Sequence, residues 1–273
     1  MRAPRAATSS RCASVTDESF GVQLDAATGA PAWSFSPVRY RGTGGGISAT
    51  PVIDGRRRMA IAGTGNPTPM SAPPPGPDPF TDSIIAVDLR NGRWRWVRQL
   101  LAHDANDFDV FASPQLFELR LHGRTISAVG DTLKSSRYFM LDEGSGKILW
   151  QRQLEPSMHW MQSIGTPAAS GDSIVVPLFH SPTVGELIAL RKSDGALLWR
   201  ASTAGIYGAP VVWHDVVLAP EVNGVVAAFR LRDGRPFGRV TVPSELYGRG
   251  LALDGDTLFV AGRGRFWAYR LHE

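Results

Sequence analysis

A single cysteine, Cys12, stands among 273 residues. One thiol cannot close an internal disulfide or build a cysteine-rich metal site, and covalently attached c-type haem, which needs Cys-x-x-Cys-His, is excluded with them. Apolar runs are short: no stretch approaches the roughly eighteen residues of a membrane-spanning helix. The opening, MRAPRAATSSRCASVTDESF, has arginines but no apolar segment behind them, so it is not a signal peptide as it stands. On that basis the protein is cytoplasmic if Met1 is its true start. Charge of either sign is dilute. The net charge is +4, arginine greatly outnumbers lysine, and only Arg56-Arg57-Arg58 forms a run. Its context, DGRRRMA, is turn-like and suits a solvated loop. With no basic stripe interleaved with aromatics, no nucleic-acid partner is expected. Sustained helical periodicity is missing as well.

What the sequence does contain is a repeat. A glycine is followed four residues later by tryptophan in QLDAATGAPAW, AVDLRNGRWRW, MLDEGSGKILW and ALRKSDGALLW, ending at Trp33, Trp96, Trp150 and Trp199. A degraded fifth copy, AFRLRDGRPFG, has Gly238 in the tryptophan's place. Asp25, Asp88 and Asp142 stand four residues before the glycine in the first three copies, and Arg191 and Arg230 in the last two. Each copy reads as strand, turn, strand. Asn91-Gly92, Asp194-Gly195 and Asp233-Gly234 are hairpin dipeptides, and SIIAVDL and ELIAL are strand-length apolar runs.

Copies lie about 40 to 60 residues apart, the size of a four-stranded propeller blade. The expected fold is therefore all-β, a β-propeller of four-stranded blades with about five to six blades present. Residues 1–19 are expected to be irregular and residues 20–273 to form the propeller domain. A β-sandwich would not require the same tryptophan in every unit.

Three stretches carry candidate chemistry. In IAGTGNPTPM (61–70) the glycines permit a tight turn at a strand end, and Pro67 holds Asn66 extended. An amide oxygen is a neutral ligand for a hard cation, although a capped turn explains the same residues. In HDANDFDVFASP (103–114), Asp107 and Asp109 share a face of an extended segment. Two such carboxylates need a cation or open solvent between them, and an Asx-rich surface turn is the plain alternative. Lys134, in TLKSSRYFMLD, is a lone lysine of a kind that is ordinarily solvated. His103, His159 and His180 fall on separate copies without ligand spacing, so zinc is not expected. Trp94 and Trp213 read as surface or packing aromatics, and PTPMSAPPPGPDP as a rim loop.

The tryptophan-bearing repeat, over roughly residues 20–271, resembles that of the pyrroloquinoline quinone (PQQ) propellers. These are typically eight-bladed, exported alcohol and sugar dehydrogenases that hold PQQ with Ca²⁺ or a lanthanide. GTGNP resembles their metal-binding segment, which implies Asn66 as a ligand. HDANDFD resembles their His-Asp-x-x-Asp-aromatic segment, which implies Asp107 as catalytic base and metal ligand, with Asp109, the additional acid of lanthanide-dependent members, as a further metal ligand. Lys134 takes the position of the residue that contacts the quinone carbonyls. The resemblance further implies an alcohol or sugar substrate, an external electron acceptor such as a cytochrome c, and a periplasmic or extracellular location. Non-enzymatic relatives, the propeller lipoproteins of outer-membrane assembly, carry the repeat too and imply a binding module instead. The family's metal-binding glutamate and adjacent cysteine pair have no counterpart here. Its stacking tryptophan falls near Ile47 or Ser48. A truncated or degenerate quinoprotein, with an open sheet edge, is the resulting expectation.

Overall fold

Short apolar runs punctuated by Gly, Asn and Asp become antiparallel strands throughout. The computed structural model of the chain describes residues 10–12, 21–37, 44–68, 70, 80–102, 104–121, 123–155, 163–248 and 250–272. The first sheet holds β1 (Ser10–Cys12), β2 (Gly21–Leu24) and β3 (Pro31–Phe35). The second holds β4 (Val52–Asp54), β5 (Met59–Gly63), β6 (Ser83–Asp88) and β7 (Trp94–Gln99). β8 (Gln115–Leu121), β9 (Arg124–Thr132), β10 (Arg137–Asp142) and β11 (Ile148–Gln153) form the third. The fourth is β12 (Ala168–Ser170), β13 (Ser173–Ser181), β14 (Val184–Arg191) and β15 (Leu197–Thr203). β16 (Val211–Trp213), β17 (Val216–Pro220), β18 (Val225–Arg230) and β19 (Pro236–Thr241) make the fifth, and β20 (Leu251–Asp254), β21 (Thr257–Ala261) and β22 (Phe266–Arg270) the last.

These are propeller blades: four sheets of four strands between two of three, each paired in chain order. No helix occurs among the described residues. β1 pairs with β2, so a strand stands inside the segment expected to be irregular. The chain divides into two compact units, Met1–Phe117 with Ser127–Leu133 and Met140–Leu149, and Glu118–Ile126 with Lys134–Phe139 and Trp150–Glu273.

Inner strands are covered on both faces, so alternation disappears there; β6 (SIIAVD) and β17 (VVLAP) are buried along their whole length. In the second unit, Val175, Leu187, Trp199, Val217 and Phe229 share one core between the fourth and fifth sheets. In the first unit Ile47 packs with Ala62, Phe80, Ile85 and Val87.

The repeat's tryptophan and glycine meet across copies, not within one. Trp33 Nε1 donates to Leu89 O (2.8 Å) and Trp96 Nε1 to Glu143 O (2.9 Å), both in the first unit. In the second, Trp150 Nε1 donates to Lys192 O (2.9 Å) and Trp199 Nε1 to Leu231 O (2.6 Å). Each ring lies against the glycine of the following copy. A Cβ on Gly92, Gly146, Gly195 or Gly234 would come within 2.7 Å of ring atoms, and each of these glycines has a positive φ. Closure of the turn is a main-chain matter. The glycine N–H bonds the carbonyl four residues back whether that residue is Asp88, Asp142, Arg191 or Arg230, which is why arginine replaces aspartate without loss of the turn. The turn is longer than the two-residue hairpin that the dipeptides suggest, since β6 ends at Asp88 and β7 starts at Trp94.

The arginine run is not wholly solvated. Asp54 caps its own turn through Arg56 N (2.7 Å) and Arg57 N (3.1 Å). Arg57 Nη1 then donates to Asp54 Oδ2 (3.3 Å), Ser127 Oγ (3.0 Å) and Glu143 Oε2 (2.9 Å). Burial, then a hydrogen bond with Asp54, pushes the Glu143 carboxyl up to about 7. Burial alone would raise Asp54 as well, but hydrogen bonds from Glu143, Arg57 and Arg56 bring it below its ordinary value.

Candidate functional site

β5 runs buried to Gly63 and delivers Thr64, Gly65 and Asn66 to the end of the second sheet. Thr64 fixes the exit by exchanging bonds with Ser83: its Oγ1 donates to Ser83 O (3.2 Å) and accepts from Ser83 N (2.9 Å). Gly65 N donates to Gly46 O (2.8 Å), and Asn66 O accepts from Gly45 N (2.9 Å). The glycines are needed for room, not for a turn. Neither Gly63 nor Gly65 has a positive φ, but a Cβ on Gly63 would stand 2.4 Å from Val110 Cγ1. One on Gly65 would stand 3.2 Å from Gly46 O and 3.4 Å from Asp109 Oδ2. Close approach of a neighbouring segment is the physical reason for this part of the motif.

That segment is the loop after β7. Asp104, 1% exposed, accepts from Asn106 N at Oδ1 (2.8 Å) and from Phe108 N at Oδ2 (2.6 Å). Between those two anchored residues Asp107 adopts a left-handed φ of 62°. Its Oδ1 accepts a 2.6 Å hydrogen bond from Asn66 Nδ2. Because an amide nitrogen must face that carboxylate, Asn66 Oδ1 points elsewhere; it is buried and has no hydrogen-bond partner among the described residues. Phe108, Asp109 and Val110 are buried, and Val110 N donates to Thr64 O (3.3 Å). The first unit thus joins Asn66 to Asp107 directly and lays Asp109 against Gly65. Asp107 and Asp109 do not form a regular strand pair as the i, i+2 spacing suggests. They lie on a loop in which Asp107 has a left-handed φ.

Among the described residues no three His, Cys, Asp or Glu side chains are grouped to hold an ion, so a cation here would rest on two carboxylates and one amide. Lys134 lies in the second unit and is 8% exposed rather than solvated; its carbonyl accepts from Ser163 N (3.2 Å). Ile47 belongs to the core of the second sheet, and Ser48 is exposed, so neither supplies a flat stacking floor. Trp213 is a packing residue, its Nε1 donating to Asp256 Oδ1 (3.1 Å), while Trp94 is half exposed. His103, His159 and most of the proline-rich stretch lie outside the described residues. No helix is long and apolar enough to cross a membrane among the described residues. Asp104 escaped the motif-based reading, although an aspartate two and four residues before main-chain donors is a recognisable Asx-turn signal.

The family profile for the glucose/ethanol/alcohol dehydrogenase β-propeller domain matches residues 22–158, half of the chain. The chain belongs to the PQQ-type propeller family. A second family profile, outer membrane protein assembly factor BamB, matches residues 109–273. Polyvinylalcohol dehydrogenase of Sphingopyxis sp. is 30% identical over 169 residues, covering 49% of this chain and 25% of that protein. Quinoprotein alcohol dehydrogenase PedH of Pseudomonas putida is 23% identical over 237 residues, covering 76% of this chain and 40% of that one. A europium-containing methanol dehydrogenase structure superposes with a TM-score of 0.72 at 13% identity, over 91% of this chain and 64% of its own, and shares the fold. The PQQ-type propeller described here therefore spans well under half the length of these two sequence relatives.

Proposed function

We propose that this chain carries the metal- and substrate-facing part of a quinoprotein that oxidises an alcohol or a sugar. One observation supports it above the others. Asn66 turns its amide nitrogen to Asp107 and leaves Oδ1 buried without a hydrogen-bond partner among the described residues, as a neutral ligand to a hard cation stands. Asn66, Asp107 and Asp109 offer only oxygen donors, which suit Ca²⁺ or a lanthanide and no soft metal. The donor set fits the metal. The stacking floor does not fit the quinone, because Ile47 is engaged in the core.

PQQ would supply the hydride acceptor in such a reaction, and holding it would take a stacking residue other than Ile47 or Ser48. Asp107 acts as general base. Asn66 Nδ2 orients its carboxylate through Oδ1, and the carboxylate takes the substrate hydroxyl proton as the alcohol becomes its carbonyl product. Asp109 adds negative charge that favours a trivalent ion. Lys134, assigned from its sequence motif alone, would supply a positive charge to a bound quinone. Electrons pass to an external acceptor such as a cytochrome c, in a periplasmic or extracellular setting.

Reconstitution with PQQ plus Ca²⁺ or La³⁺, followed by alcohol-dependent dye reduction, tests the proposal. Turnover that is lost in Asp107→Ala with folding retained is the expected result; unchanged turnover removes Asp107 from the mechanism. A folded protein that takes up neither cofactor nor metal favours a second reading, a non-catalytic binding or assembly propeller. The match of residues 109–273 to the outer membrane assembly factor and the place of Ile47 in the core, where the family's stacking tryptophan is expected, support that reading.

A further inference from the structure

We propose that Asp104 is a positioning residue that fixes the backbone of Asp107 so that its carboxylate meets Asn66; its functional meaning rests on the metal-site reading above. Asp107 has a φ of 62°, a region that L residues rarely adopt and that must be held by its surroundings. The surroundings are specific. Asp104 is 1% exposed, and its two oxygens accept from the main-chain N–H groups on either side of Asp107, at 2.8 Å from Asn106 and 2.6 Å from Phe108. Bonds of this length to a carboxylate are charge-assisted and directional. These bonds fix the 105–106 and 107–108 peptide groups to one buried side chain, so Asn106 and Asp107, the two residues between them, have little freedom left. Downstream, buried Phe108 and the Val110 N to Thr64 O bond (3.3 Å) tie the loop to the strand exit that presents Asn66. The Asn66–Asp107 contact of 2.6 Å is thus set from both sides: by the Thr64–Ser83 exchange for Asn66, and by Asp104 for Asp107.

Asparagine at position 104 keeps the shape but has a single acceptor oxygen, so one of the two N–H groups loses its partner. In a crystal structure of Asp104→Asn, residue 107 is expected to leave the positive-φ region and the Asn66–Asp107 contact to open beyond hydrogen-bond distance. Tryptophan-sensitised Tb³⁺ luminescence gives a second readout, taken well below the unfolding midpoint and in about 0.5 M KCl, where the Debye length of about 4 Å screens the loss of charge. Tb³⁺ affinity should fall at least tenfold. Asp104→Ser, which also retains one acceptor, should give the same direction of change if Asp104→Asn does not fold. A variant structure that keeps φ near 62° with the contact intact, or an unchanged Tb³⁺ affinity beside a lowered unfolding midpoint, overturns the assignment and leaves Asp104 a stability residue. Wild-type protein that takes no Tb³⁺ counts against the metal site alone, and the crystallographic comparison then decides the positioning role.

Discussion

Replacing Gly195 by alanine tests the coupling of successive blades, because the new methyl falls where the Trp150 ring lies. The ideal Cβ stands 2.6 Å from Cε3 and 2.7 Å from Cζ3, so the ring must move. Three costs add. Alanine in the left-handed region, at a φ of 68°, costs about 1 kcal/mol. Overpacking against the ring costs about 1–3 kcal/mol. Displacing the ring weakens the Trp150 Nε1 to Lys192 O bond of 2.9 Å, worth about 1 kcal/mol. The expected loss is therefore about 3–5 kcal/mol. Gly171→Ala is the matched control. Its φ is 52° but nothing lies within 4 Å among the described residues, so only the backbone cost of about 1 kcal/mol applies. Equilibrium urea unfolding followed by far-UV circular dichroism gives both numbers. The near-UV signal of the Tyr138–Trp150 stack, 5.5 Å between centroids, should change in Gly195→Ala only. Losses that agree within about 0.5 kcal/mol, a typical surface-substitution scatter, would refute the docking of each tryptophan on the next copy.

Further outcomes follow from the same contacts. Glu143, raised from 4.5 to about 7, and fully buried Asp131, held by burial well above the usual carboxylate range, bind protons more tightly folded than unfolded. Their contribution is intact below the unfolded values and is lost as pH rises through the folded ones, so the melting temperature should fall from about pH 5 to pH 8. Asp54 and Asp88, both lowered, stay ionised across that window and do not tilt it. Glu143→Gln and Asp131→Asn should each flatten the slope, and a wild-type midpoint that rises instead contradicts the assignment. Gly63→Ala, with its methyl 2.4 Å from Val110 Cγ1, should cost about 1–3 kcal/mol and weaken Tb³⁺ binding. Gly55→Ala, in open space, should leave both unchanged.

The blade count was legible because glycine and tryptophan recur at fixed spacing, and a fixed spacing survives any arrangement of the blades. Their partnership was not. Trp33 meets Gly92 rather than Gly29, a contact between copies that no local window contains. The same limit explains the motif at residues 63–65. Its glycines look like turn residues in one dimension, yet Val110 passes too close to Gly63 for a side chain and Gly46 leaves little room at Gly65. Arg57 looked solvated since its partners Ser127 and Glu143 are distant in sequence. Asn66 and Asp107 were nominated by resemblance, and their direct contact depends on a left-handed residue that the letters do not reveal.

Gly238 occupies the place where earlier copies put a ring, and among the described residues nothing lies within 4 Å of the point where its Cβ would be. The fifth sheet consequently has no anchor of that kind to offer β20–β22, whose attachment falls to Trp213 and Asp256 at 3.1 Å and to the apolar contacts around Leu258 and Val260. Amide protons of that last sheet should exchange with solvent sooner than those of β13, β14, β17 and β18, so loosening of the second unit begins at its C-terminal end.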